Sequence, residues 1–273
     1  MTLVLERAAR SAAGAFAALL LAAPAAAAQK DYYNTDKNRP VRIEDAYATE
    51  RYALEIKVAP LRLERERGAY RWELHPEIAY GILPRTSVEV GFPFSYVDRG
   101  EGVAPPSGLT GIELSAFHNL NVETRTLPAL GVRGNVTLPV RGGGDAHPSL
   151  TGIATRTFPW ARFHTNAQYT FGHAPEGEAA PHDASRWLAG IAVDRSFPLD
   201  AYLLIADVFA EQPLHADDPV EWNAGAGIRY QVNPYLAVDA GLGRRLTGDP
   251  AWYVTFGSAY HLGVRALMPR VGR

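Results

Sequence analysis

Cysteine is absent from the 273 residues, which excludes disulfide frameworks, thiol nucleophiles and cysteine-ligated zinc or iron–sulfur sites. Any metal would have to rest on histidines and carboxylates. No sign of charge dominates, with 27 Lys plus Arg against 29 Asp plus Glu, so the basic footprint of a nucleic-acid binder is missing and no nucleic acid is expected as a partner. Past residue 28 there is no run of about 18 uncharged apolar residues, and the mature chain therefore has no membrane helix. Turn formers, in contrast, are plentiful: 25 Gly and 20 Pro accompany an apolar content of 47%, a balance that suits an all-β chain with many turns.

The first segment is an address. Arg7 and Arg10 precede an Ala- and Leu-rich stretch that closes on Ala26 and Ala28, the small residues of a signal-peptidase site. Residues 1–28 read as a secretory signal peptide, and a permanent transmembrane helix is disfavoured by Pro24 and by the lack of a basic stop-transfer flank. The mature chain is then either a soluble exported protein or a β-barrel. Residues 29–50, polar and carrying both signs, read as a periplasmic lead-in, with folding upward as a partial plug the alternative. Residues 51–263 form the barrel and 264–273 a C-terminal tail.

From Tyr52 onward apolar residues recur at period two, which places successive side chains on opposite faces of an extended strand. In 222–232, Trp222, Ala224, Ala226, Ile228, Tyr230 and Val232 share one face, and Asn223, Gly225, Gly227, Arg229 and Gln231 the other. Counted this way, strands fall at 52–60, 69–82, 87–96, 109–121, 129–140, 150–158, 162–171, 186–196, 201–211, 222–232, 236–245 and 252–262. Twelve is an even number, as a bacterial outer-membrane barrel requires. Tight connections such as 83–86 and 233–235 alternate with longer Gly-, Pro- and acid-rich ones at 98–108, 141–149, 172–185 and 212–221. Short periplasmic turns and long outer loops put both termini in the periplasm. The expectation is a transmembrane, antiparallel, up-and-down β-barrel.

Aromatic side chains with a polar handle collect at the two headgroup levels of a membrane. Outward-phase aromatics lie at the loop side (Trp72, Tyr96, Phe171, Trp187, Trp222, Trp252) and at the turn side (Tyr80, Phe163, Tyr202, Tyr230, Tyr260), making two girdles. His118 and Arg195 share the outward phase but sit beside short turns, where a charge is tolerated. The inward phase carries both signs of charge. Glu73, His75, Glu77, Arg133, Asn135, His164, Gln168, Asp207, Arg229 and Asp239 are the candidates for lining and selecting within the lumen, because buried charges must be paired or hydrated.

Signals for covalent chemistry are thin. The eight histidines form no HExxH, and His75 between Glu73 and Glu77 is the nearest approach to a cation site, reading as a hydrated lumen cluster. RGGGD at 141–145 precedes no helix and reads as loop, not phosphate cradle. Ser115 and His118 lie on opposite faces, which counts against a barrel-embedded hydrolase. No cofactor, metal or catalytic residue is expected.

The stretches NRPVRIEDAYATERYALEIKVAPLRLE (38–64), GLTGIELSAFHNLN (108–121), ALGVRGNVTLPV (129–140) and DAGLGRRLTGDPAWYVTFGSAYHLG (239–263) resemble the outer-membrane proteins grouped under the meta-pathway of phenol degradation. The resemblance implies a transporter-like barrel with aromatic or other hydrophobic small molecules as cargo, and it carries over no substrate-contacting residues. The last strand also resembles the signal read by the barrel-assembly machinery, with Thr255, Gly257, Tyr260 and Leu262 at its polar, glycine and hydrophobic places. The sequence thus points to an outer-membrane channel passing small solutes, with membrane lipid, the assembly machinery and the solute as partners. The competing readings are a sealed structural or adhesive barrel, a lipid-modifying enzyme and a soluble periplasmic β-protein.

Overall fold

The computed structural model describes residues 34–58, 61–66, 69–98, 108–140, 146–172, 185–213 and 219–263. Residues 1–28, read from the sequence as a signal peptide, residues 264–273, read as a tail, and most of the four longest loops lie outside the described residues. Among the described residues there is no helix, and the strands form twelve crossings of one sheet. They are β1 (Ala53–Lys57, Leu61–Glu66), β2 (Ala69–Leu74, Glu77–Leu83), β3 (Thr86–Gly91, Phe94–Asp98), β4 (Gly108–Leu109, Gly111–Asn121), β5 (Ala129–Pro139) and β6 (His147–Thr157). The second half comprises β7 (Arg162–Thr170), β8 (Ser185–Ser196), β9 (Tyr202–Pro213), β10 (Glu221–Asn233), β11 (Leu236–Arg245) and β12 (Ala251–Gly263).

Each strand pairs antiparallel with its sequence neighbours, and the sheet closes on itself: β1 runs against β12 from Ala53 opposite Gly263 to Glu66 opposite Ala251. Closure removes every edge, so the backbone groups of the wall are satisfied within the sheet. The count of twelve and the short-turn, long-loop alternation hold. Two boundaries differ from the sequence reading by three residues or more, the others by at most two. β1 extends through Glu66, and β6 begins at His147, three residues before the first strong apolar residue, Leu150. Its inward residues His147, Ser149, Thr151, Ile153 and Thr155 are all buried, whereas Pro148, Leu150 and Gly152 are exposed, so a strand of small and polar residues alternates as cleanly as a greasy one.

At one level of β1 to β4 the ladder is interrupted. Pro76 and Pro93 have no N–H to give, and their carbonyls accept from Phe92 (2.9 Å) and Thr110 (2.8 Å). Outside, large apolar side chains are exposed along the wall, among them Val88, Leu114, Leu150, Ile191, Leu204, Val208, Ile228, Leu242 and Phe256. Trp72, Tyr96, Phe171, Trp222 and Trp252 are exposed at the loop end, and Tyr230 at the turn end together with Phe158 and Trp160. Inside, the wall is polar and charged, but its centre is filled. Residues 34–50 do not form a lead-in outside the barrel as read from sequence: Val41, Arg42, Ile43, Glu44, Asp45 and Ala46 are buried within the lumen. The wall offers partners to that segment's backbone and seats for its side chains.

Candidate functional site

Residues 34–50 make a loop whose neck is closed by two hydrogen bonds, Thr35 N–H to the Asp45 carboxylate (2.9 Å) and Asp45 N–H to the Thr35 carbonyl (3.2 Å). Its far end leaves the lumen beside the β2–β3 turn, where Tyr52 N–H donates to Gly81 O (2.8 Å) and the chain enters β1. Between these points it sweeps along the wall from β12 to β4. Thr255 donates to the Pro40 carbonyl (3.0 Å), and Arg42 N–H donates to Asp207 (2.8 Å). The Asn166 amide takes Glu44 N–H (2.9 Å) and donates to Glu44 O (2.8 Å). Ala46 N–H donates to Thr155 (2.9 Å), and Asn119 donates to Ala46 O (2.7 Å). Buried peptide groups unpaired in this way would each cost about 1–3 kcal/mol, so the polar wall residues are what permit a loop here.

Charge clamps lie at both ends of the sweep. Arg39, 1% exposed in its side chain, meets Asp239 at 2.5 Å, and Arg229 reaches Asp36 at 3.1 Å, the Arg39 carbonyl at 3.0 Å and the Asn34 carbonyl. Arg133 holds Glu44 at 2.7 Å through one guanidinium nitrogen and Glu89 at 2.7 Å through another, and lies 5.2 Å from the Phe117 ring centre. Lys57 bridges wall and loop, 3.2 Å from Glu77 and 3.5 Å from Asp36, while Lys37 of the loop lies 3.5 Å from Glu113.

Two apolar seats interrupt the polar lumen. Val41 and Ile43 pack with Leu188, Ala192, Ile205 and Phe209 on β8 and β9, and Ala46 packs with Phe117, Ala129 and Ile153. Close approach also requires glycine. A Cβ at Gly241 would stand 2.4 Å from Pro40 O, and one at Gly227 2.6 Å from Pro40 Cβ. Gly241→Val is therefore expected to lift the segment and expose the bond after Arg42 to trypsin at least tenfold faster than in the wild type. Gly134→Val, where the added Cβ meets nothing within 4 Å, should leave the rate unchanged.

Of the ten lumen candidates, Arg133, Asp207, Arg229 and Asp239 grip the segment directly, and Glu77 acts through Lys57. His75 lies beside this group, its Nε2 at 3.3 Å from Glu113 and 3.7 Å from Glu77. His164, fully buried, links Thr155 (3.0 Å) to Asp194 (3.0 Å), which Arg162 also holds at 2.7 Å. That chain has the order of nucleophile, base and acid, but Thr155 is 0% exposed and already accepts Ala46 N–H, so it serves as a seat. Glu73 lies 4.0 Å from Arg71, Asn135 stands on β5 opposite Ser115 and Ser149, and Gln168 accepts from Thr151 at 3.4 Å. Among the described residues no three His, Asp or Glu side chains are placed to hold a metal ion. Sequence reading missed Asn119, Thr155, Asn166 and Thr255 as site residues, although with Asp207 and Arg229 they bond the loop's backbone. The signal that could have found the seats was the inward-phase Leu188, Ala192, Ile205 and Phe209, apolar where a wet lumen wants polar.

Burial pushes the Asp45 carboxyl up to about 8, with Arg162 and the N–H groups of Thr35 and Tyr47 opposing, and burial likewise raises Glu44 against the pull of Arg133. The seated loop thus binds protons that a solvated loop would release. Seating is favoured fully below the ordinary aspartate value of 3.8, weakens as pH climbs from about 4 to about 8, and is level above that. Opening measured by conductance should rise across this window, by up to about tenfold per pH unit, and Asp45→Asn should flatten the rise.

No family model and no curated protein matches the chain. Solved structures do. The outer membrane channel from Pseudomonas putida F1 is 13% identical, over 81% of this chain and 100% of that one, with a TM-score of 0.57. The NanC porin is 6% identical over 76% and 98%, with a TM-score of 0.51. The KdgM porin in complex with disordered oligogalacturonate is 10% identical over 76% and 98%, with a TM-score of 0.50. The likeness is one of fold: this chain is a closed, twelve-stranded antiparallel β-barrel of the kind that bacterial outer-membrane proteins have.

Proposed function

We propose that the protein is an outer-membrane channel for small solutes, closed in this state by residues 34–50. The observation that carries the reading is that the lumen is filled by a separable segment instead of by wall side chains: take the segment away, and a twelve-stranded wall lined with Arg133, Asp207, Arg229 and Asp239 encloses a wet passage. No covalent chemistry is involved. Signal-peptide export, recognition of β12 by the barrel-assembly machinery, and short turns with both termini facing the periplasm complete the proposal. The apolar seat of Leu188, Ala192, Ile205 and Phe209 supports aromatic or other hydrophobic compounds as cargo, since it offers such a solute a dry surface between charged walls.

The closed segment also favours a second reading, a sealed structural or adhesive barrel. Liposome swelling across sugars, amino acids and aromatic acids separates the two. A channel should show flux that rises when the segment is unseated, fastest for the aromatic acids. Folded protein without flux in either state would establish the sealed barrel.

A further inference from the structure

The contacts of residues 40–46 with the wall follow a rule that mere filling would not. The groups held are main-chain ones: the Pro40 carbonyl, Arg42 N–H with Ile43 N–H beside it on Asp207, and both polar groups of Glu44 and of Ala46. Every peptide carries such groups, so a wall that reads them is built to hold a chain and not a single side chain. Asn166, giving one bond and taking one from the same residue, reproduces with an amide side chain the exchange of bonds that a neighbouring strand would make. The side chains of the intervening Val41 and Ile43 enter the apolar seat. Backbone bonds for affinity and side-chain pockets for specificity are the physics of peptide recognition, here performed by side chains because the wall's own backbone is engaged in the barrel ladder.

We propose that the lumen wall from β4 to β12 is a binding site for a peptide, and that residues 39–46 occupy it as a built-in ligand. The site takes about eight residues. It prefers branched aliphatic side chains two apart, a cation two positions before the first of them, where Asp239 waits, and an acid one position after the second, where Arg133 waits. A peptide from outside the chain competes with the segment for these groups, which makes peptide the ligand that sets the open and closed states. This rests on the channel reading above and adds its regulation.

The test uses the full-length double variant Val41→Asp/Ile43→Asp, whose own segment is unseated, and a fluorescent nonapeptide with the sequence of residues 39–47. Fluorescence polarisation should show saturable binding at least tenfold tighter than to the wild type, whose site is occupied. N-methylation of the peptide at the positions of Arg42 and Glu44 removes the two N–H groups read by Asp207 and Asn166 and should weaken binding at least tenfold, as should Asn166→Leu in the protein. If the double variant fails to fold, Ile43→Asp alone, which leaves the wall unaltered, replaces it. Absence of saturable binding, or equal affinity for the N-methylated peptide, would overturn the proposal. Bilayer current without peptide reports separately on the channel reading, so a barrel that binds peptide without conducting, or conducts without binding, is recognised as such.

Discussion

Val41→Asp with Ile43→Asp should turn a barrel that opens rarely into one with a sustained unitary conductance. In the wild type both side chains are almost wholly buried against Leu188, Ala192, Ile205 and Phe209. Burying two such residues contributes about 1.5–3 kcal/mol each. Two carboxylates would forfeit that gain, and with Asp207 already bonded to Arg42 N–H they would add like charge to a buried carboxyl, at several kcal/mol per uncompensated ion. The backbone bonds that remain contribute about 0.5–1.5 kcal/mol apiece, too little to hold the segment against both terms. The milder Val41→Ala/Ile43→Ala pair should flicker between states. Planar-bilayer recording is the measurement, with heat-modifiable gel migration to establish that each variant is folded. A folded double-aspartate variant without current would remove the segment from the role of closure.

Why the wall was legible in the sequence and its contents were not is a matter of where the forces come from. A strand in a closed barrel sees lipid on one side and the lumen on the other, so alternation such as that of Trp222 to Val232 reports its two faces directly. Tight turns likewise speak locally, as at 233–236, where the Asn233 side chain accepts the N–H of Tyr235 and of Leu236. The segment 34–50 has no period of its own. Its path is imposed by partners far along the chain, Asn166 lying 122 residues from Glu44 and Asp239 lying 200 from Arg39. Its trace in the sequence is indirect and resides in the wall. Gly227 and Gly241 stand where Pro40 presses, and the aliphatic residues of β8 and β9 stand where Val41 and Ile43 insert. An inward face that turns greasy or bare is the mark of an occupant. The ten polar candidates were chosen as solute contacts, and half of them turn out to hold that occupant because the same groups that would pair with a charged solute pair first with Arg39, Glu44 and Asp36.

That substitution of occupant for solute changes what a charge deletion measures. Arg133→Ala or Arg229→Ala would, in an empty lumen, only tilt ion preference toward cations; here each first releases an acid or a carbonyl of the segment. The cleanest case is Asp239. Its side chain and that of Arg39 are sealed from solvent at 2.5 Å, with Arg229 3.7 Å away. Asp239→Leu deprives both guanidinium groups of a shared carboxylate, leaving Asp36 at 3.7 Å from Arg39 and 3.1 Å from Arg229, and breaking a buried pair from one side typically costs about 3–5 kcal/mol. Arg39→Met should cost less, because Asp239 keeps Arg229. Combining Arg39→Met with Asp239→Leu replaces a desolvated pair by apolar groups and should recover most of the loss, since such replacements are often near neutral. In open probability from bilayer recordings, Asp239→Leu alone is expected to open the barrel at least a hundredfold, the double variant within about tenfold of the wild type, a coupling of about 1.4 kcal/mol or more between the two residues. Additive effects would mean that Arg39 and Asp239 act on different steps, and that the segment is held by its backbone and its apolar seat without the clamp.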